Sequence, residues 1–191
     1  MARPKQVSDV QLLEAARRVF LEHGAKVPVA TIARHLGVTA TALFRRVGSK
    51  NQLMVQALQP PEPPAIGILK QGFRDDESAD VQMSRVLMNM VGYLNTVIAS
   101  EFCMRDAGVH TVAERVYINY PIKLRQAIAK WLQAGQKRGR VRAGNVKIMA
   151  EALLGTLEMR YTLAYLMHKS HSPASDRQFV TGLVREILRP K

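Results

Sequence analysis

Arg45, Arg46 and Lys50 stand close together in the first quarter of the chain, and the hydroxyls of Thr39 and Thr41 lie just before them. A guanidinium can donate paired hydrogen bonds to guanine O6 and N7 or to a phosphate, and an ammonium is a point-charge phosphate ligand. Threonine hydroxyls serve bases and backbone alike. This grouping points to contact with a nucleic acid. Nothing comparable points to catalysis: the sequence has no nucleophile motif, no phosphate-binding glycine loop and no pair of carboxylates in a supporting context, so neither an enzyme nor a cofactor is expected.

Those side chains need a scaffold, and the flanking residues supply one. Ile32, Ala33 and Leu36 give a first short helix one apolar side, with Ala33 small enough for a second helix to cross closely. Gly37 falls where the chain must turn with positive φ, Val38 plugs the angle, and Thr39 is placed to cap the second helix. Leu43 and Val47 then turn inward one turn apart, which leaves Ala40, Thr41, Phe44, Arg45 and Arg46 on the outer face. Small residues at the start of that face and arginines further along suit a helix lying in the major groove. Upstream, Ser8 and Gln11 form a capping box before the helical stripe Leu12, Leu13, Ala16, Val19 and Phe20. Downstream, Ser49 and Gln52 open another helix, running to about Gln59.

The charge distribution agrees. The 191 residues carry 28 Lys+Arg and 15 Asp+Glu, a net +13 with a pI near 10.4, which favours a polyanionic partner. Residues 1–50 hold nine basic side chains and three acidic ones, so the positive charge is densest at that end. The single cysteine, Cys103, excludes an intrachain disulfide and is read as a small apolar core residue, with redox sensing as the other option. Met-Ala-Arg-Pro-Lys leads into no apolar signal region, and no uninterrupted apolar run reaches the ~20 residues of a membrane span, so a cytoplasmic location without a membrane partner is expected.

Over about residues 8–58 the sequence resembles the TetR family of bacterial transcriptional regulators. The residues that carry the likeness are Ile32-Ala33, Gly37-Val38-Thr39, Leu43-Phe44-Arg45-Arg46-Val47 and Ser49-Lys50 with Leu53, and Phe20 with Gly24 fits the family's first helix. The resemblance implies that Ala40, Thr41 and Arg45 face bases, with Thr39 and Ala42 nearby. It puts Phe44 where the family's usual tyrosine packs on the sugar-phosphate backbone. It makes Lys50 a phosphate ligand helped by a helix dipole. Two positions depart from the pattern: Phe44 lacks the tyrosine hydroxyl, and Arg46 replaces a His or Tyr with a full charge able to reach a guanine or a phosphate. The family's base preferences therefore do not transfer.

The rest of the chain is also helical in period, which makes an all-α protein: a three-helix helix-turn-helix domain over 1–59, then a helical body over 60–191. Pro60-Pro61-Glu62-Pro63-Pro64 ends the preceding helix and reads as a boundary, a stiff connector or a sharp loop. Further helices are predicted at about 79–100, 101–107, 111–137 with a bend near Pro121, 145–169 and 175–189. The resemblance implies that this body holds an effector pocket and a homodimer seam. Two-fold pairing also follows from physics, because one short recognition helix reads too few base pairs. Leu153, Leu157 and Ala164 on one helix and Phe179, Leu183 and Ile187 on the last are the candidate seam, and ordinary intramolecular core is the other reading. Met83, Met90, Phe102, Tyr117, Trp131, Tyr161 and Tyr165 are the candidate pocket, although core is the better reading of each taken alone; a ligand among them would be apolar or aromatic. His168 and His171 have metal-ligand spacing but no acidic or thiol companion, so a surface helix end is preferred and no metal is expected. Lys137-Arg138-Gly139-Arg140-Val141-Arg142 reads as a solvated basic turn, with contact to DNA or lipid as the other reading. The expected function is a regulator that binds a double-stranded, palindromic operator as a dimer, represses, and is released by an inducer; the alternative is control by a protein partner.

Overall fold

The structure, a computed structural model, describes residues 7–189, and for residues 110–120 the backbone alone. Every regular element among the described residues is a helix: α1 Asp9–His23, α2 Val29–Leu36, α3 Ala40–Val47, α4 Lys50–Leu58, α5 Pro64–Lys70, α6 Ala79–Asp106, α7 His110–Lys137, α8 Val146–Leu166 and α9 Pro173–Leu188. Local sequence chemistry starts most of them. The Ser8 hydroxyl accepts from the Gln11 amide at 3.2 Å while Gln11 Oε1 accepts from the Ser8 amide at 3.0 Å, closing the capping box of α1. Asn145 Oδ1 accepts from the Lys147 and Ile148 amides at the start of α8, and Ser172 Oγ does the same for Ser175 ahead of α9.

The prolines between α4 and α5 do two things. They stop α4 at Leu58, and Pro64 then begins α5, a position where the missing amide hydrogen costs nothing because no carbonyl awaits it. Sequence periodicity does not predict α5. Nor does it predict that α6 runs unbroken for 28 residues. Ser100-Glu101 looks locally like a fresh helix start, yet Ser100 is fully buried in mid-helix. Among the described residues α6 alone is long and apolar enough to cross a membrane; its apolar positions Met83, Leu87, Met90, Leu94 and Ile98 are buried inside the protein. Helix α7 continues through Pro121.

Packing divides the chain into two units. One joins the chain up to Pro60 with residues 99–117, and the other takes residues 61–98 and those from Ile118 onward. A cut at residue 59 therefore separates the head from part of itself. Cys103 and Met104, at the end of α6, are buried in one cluster with Phe20, Ile32, Leu43, Leu53 and Met54, and Ala107 and Val109 pack against it. Cys103 Sγ lies 3.6 Å from the Phe20 carbonyl oxygen and donates to it. Burial pushes its thiol above the ordinary range, with Asp106 adding to the shift, as suits a small core residue.

In the second unit, Leu124, Ile128 and Leu132 of α7, Leu153, Leu154 and Leu157 of α8 and Val180, Val184 and Leu188 of α9 are buried beside the apolar positions of α6. The basic turn after α7 is a fastening. Arg138 pairs with Asp75 at 3.3 Å and lies over the Phe73 ring, while Arg142 donates through Nε to the Ile187 carbonyl and through its amide to that of Leu188. Gly135 lets this turn close. A Cβ there would stand 2.6 Å from Val141 and 2.8 Å from Phe73.

Candidate nucleic-acid interface

The turn between α2 and α3 is set by backbone hydrogen bonds. Gly37 adopts φ 65°, ψ 28°, a left-handed conformation that glycine reaches without the cost a Cβ would add. Its amide reaches the Arg34 carbonyl at 3.1 Å, and the next amide, of Val38, reaches that of Ala33 at 3.0 Å, the paired closure that ends a helix and redirects the chain. Thr39 Oγ1 then accepts from the Ala42 amide at 3.1 Å and starts α3. Leu43 is fully buried and Val47 nearly so, which fixes the rotation of α3 about its axis. What remains outward is Thr41, Ala42, Phe44, Arg45 and Arg46, with Ala40 half-buried at the start.

These exposed groups are not equivalent. Among the described residues Arg45 has no hydrogen bond or ion pair, so its guanidinium is available to a ligand. Arg46 is already engaged: Nη1 donates to the Val7 carbonyl at 2.6 Å and Nη2 pairs with the Asp9 carboxylate. Spacing alone leaves Arg46 free to reach a guanine or phosphate; the fold ties it to the start of α1. Phe44 keeps 39 % of its surface exposed, on the same outward face of α3 as Arg45. Lys50 is the first residue of α4, behind the Ser49 cap, where amide hydrogens and the helix dipole favour an anion.

The candidate pocket residues stand in differing surroundings. Met83 and Met90 are core, Tyr161 is buried between α8 and α9 neighbours, and Tyr165 is exposed. Phe102 belongs to the head unit, and the side chain of Tyr117 lies outside the described residues. Trp131 lines a cleft, packed against Phe73 with ring centroids 4.7 Å apart. Burial lifts the Tyr161 hydroxyl well above the ordinary phenol range and the Asp176 carboxylate reinforces this, so the group stays neutral. His168 and His171 serve different surroundings, the first exposed past the end of α8 with φ 51°, the second edge-on to Tyr161.

The candidate seam residues of α8 and the exposed apolar surface of that helix lie on different sides. Leu153 and Leu157 are fully buried within their own subunit and Ala164 almost so, leaving them no surface to offer a partner. The open apolar stripe lies on another side of the same helix, at Ile148, Ala152, Gly155, Met159 and Leu163, spaced by three and four residues. Ile148, Met159 and Leu163 keep 67, 57 and 49 % of their surface exposed. Phe179 of α9 borders this stripe, under the Arg160 guanidinium at 4.4 Å, and Leu183 and Ile187 are half-buried. Helix α8 is apolar on more than one side, and its richer leucine stripe faces inward.

Comparison with known proteins agrees with this architecture. Residues 12–57 match the profile of bacterial regulatory proteins of the tetR family, and residues 79–189 match that of the AefR-like transcriptional repressor C-terminal domain. Among solved structures, a protein of Mesorhizobium loti assigned to the TetR-family transcriptional regulators is similar with a TM-score of 0.74 at 14 % identity, covering 94 % of each chain. NalD of Pseudomonas aeruginosa, the secondary repressor of the MexAB-OprM multidrug efflux pump, has a TM-score of 0.68 at 17 % identity, over 94 % of this chain and 96 % of its own. The transcriptional regulator FadR of Bacillus subtilis, in complex with stearoyl-CoA, has a TM-score of 0.67 at 14 % identity, over 95 % of this chain and 98 % of its own. No match was found in the search of curated proteins. The two profile matches cover both the helix-turn-helix and the helical body, and the chain belongs to the TetR family of DNA-binding transcriptional regulators.

Proposed function

We propose that this regulator is a cytoplasmic repressor that binds a palindromic operator as a homodimer and leaves it when a small, largely apolar effector occupies its helical body. The observation that carries the DNA-reading part is the contrast on α3: one face locked by Leu43, Val47 and the Thr39 cap, the other presenting an unpartnered Arg45. Ala40 and Thr41 give the closest approach to base edges, Arg45 reads a base, and Phe44 and Lys50 hold the sugar-phosphate backbone. Thr39 sets the helix start, and Arg46 orients α3 through its hold on Val7 and Asp9. The exposed stripe of α8, with Phe179, Leu183 and Ile187 of α9, supplies the apolar surface that two-fold pairing would cover. The likeness of the fold to an efflux-pump repressor and to a regulator holding stearoyl-CoA supports control by a small molecule.

Selection of binding sites from random DNA tests the reading. A palindromic site should emerge with dimeric protein. Arg45→Ala should then cost about 1–3 kcal/mol at one base position and relax the preference there. Lys50→Ala should instead weaken all sequences alike and reduce the salt slope by about one phosphate. Equal losses on selected and random DNA for Arg45→Ala would remove its base-reading role.

A further inference from the structure

A cleft of about 350 Å³ opens between α5 and α7, within the low end of the ~300–1,000 Å³ usual for small-molecule sites. It exists because Gly72, Ala127 and Ala134 are too small to fill the space between larger neighbours. Its floor is the Phe73–Trp131 pair, whose rings meet at 43°, both nearly buried by the fold. Its walls add Ile66 and Leu69 of α5. The rim is different in kind: of the eleven lining residues, three are lysines, Lys70, Lys123 and Lys130, and none is acidic.

The lysines differ in what already holds them. The Lys70 ammonium lies 3.7 Å from Glu62, an exposed pair that half-satisfies it. Lys123 and Lys130 have no carboxylate partner among the described residues. They are seven residues apart on α7, so they share one face, about 10 Å apart along the axis at 1.5 Å per residue, with Ala127 between them. Two such cations above an aromatic floor, separated by a small residue, form an apolar slot with a cationic end.

We infer that this cleft binds a small organic acid, its aliphatic or aromatic body laid against Phe73 and Trp131 and its carboxylate held between Lys123 and Lys130. Burial of the body supplies the apolar contact, and the charge-assisted hydrogen bonds to the ammonium groups select the acid over its neutral analogues. The inference rests on the proposed control by a small effector only for its regulatory consequence; binding itself is read independently of DNA.

Trp131 is the chain's single tryptophan, so its emission reports on this cleft. Full-length protein would be titrated with octanoate and 4-phenylbutyrate, and in parallel with the neutral octan-1-ol and 4-phenylbutan-1-ol. Saturable changes in Trp131 emission are expected with the acids, at affinities about tenfold or more above those of the alcohols. Lys123→Gln combined with Lys130→Gln should cut acid affinity by about tenfold and leave the alcohols unaffected, and added salt should weaken acids alone. No saturable change with either acid, equal affinity for acid and alcohol, or an unaltered double variant would each overturn the inference. Duplex binding by anisotropy, with and without acid, separates the two readings. Acid binding that leaves DNA affinity unchanged keeps this site and removes its role as the releasing effector. DNA binding without any acid response removes the site and keeps the regulator.

Discussion

Arg46 in the recognition helix and Asp9 in the first turn of α1 form an ion pair, and the same guanidinium holds the Val7 carbonyl. The pair joins two helices of the head through the one strong charge by which the recognition helix departs from the usual family pattern. It also neutralises that charge before any DNA is present.

Asp9→Asn should release Arg46 to the phosphates. The expected result is tighter binding to random DNA and a salt dependence steeper by roughly 0.9, the slope of one added phosphate contact. Anisotropy titrations over a range of KCl would measure it. Because Asp9 is itself an acid near DNA, the control is Arg46→Gln in the Asp9→Asn background. That second change should restore the wild-type slope; a slope that stays steep would trace the effect to loss of the carboxylate alone. The side chain of Asp9 is 86 % exposed, so stability should change by less than about 1 kcal/mol.

The two apolar sides of α8 give opposite outcomes when charged. Met159→Asp or Leu163→Glu should leave a folded protein that sediments as a monomer and loses operator affinity, since each alters exposed surface. Leu157→Glu should unfold the helical body, because a carboxylate would replace a fully buried side chain. Circular dichroism and light scattering on the same samples distinguish these results. A dimeric Leu163→Glu protein would rule out the exposed stripe as the seam.

Gly135 permits the approach of Phe73 and Val141 to α7. Gly135→Ala forces a methyl group into contacts under 3 Å, and overpacking of this kind costs about 1–3 kcal/mol. Thermal unfolding should register the loss, and a shift in Trp131 emission should accompany it because Phe73 packs on that ring. An unchanged midpoint would mean that the turn yields without strain.

Cys103 links the head's stability to pH. Its folded thiol is held above the ordinary value, so folding favours the protonated form. That contribution is complete below the ordinary thiol range and is lost as pH rises through the folded value. Alkylation should be at least about tenfold slower in the native protein than in urea. Cys103→Ala should flatten the alkaline decline in stability; rapid native alkylation at pH 8 would contradict the buried, protonated state.

The parts of this protein written in local chemistry are the ones legible from sequence. Ser8 with Gln11, Gly37 followed by Thr39, and Ser49 before Lys50 each specify a helix end through neighbours within a few residues, so the reading head can be placed from them. Long-range choices are different. Nothing near Arg46 in sequence announces Val7 or Asp9, nothing near Phe20 announces Cys103, and the leucines of α8 do not say which of two apolar sides will be covered by the chain itself. The candidate pocket residues are ambiguous for a related reason. Methionines and aromatics signal burial, and only packing separates a core from a cavity.

Because Cys103 and Met104 complete the core of the head, its heritable unit is discontinuous. A chimera made by grafting residues 1–60 onto a relative's body would inherit a foreign plug at the end of α6, with its volume unmatched to Phe20 and Leu43. Transplanting operator preference between relatives therefore means moving residues 99–117 together with the head. Recombination within the proline connector, the natural-looking crossover, would trade specificity at the expense of a cavity in the reading domain.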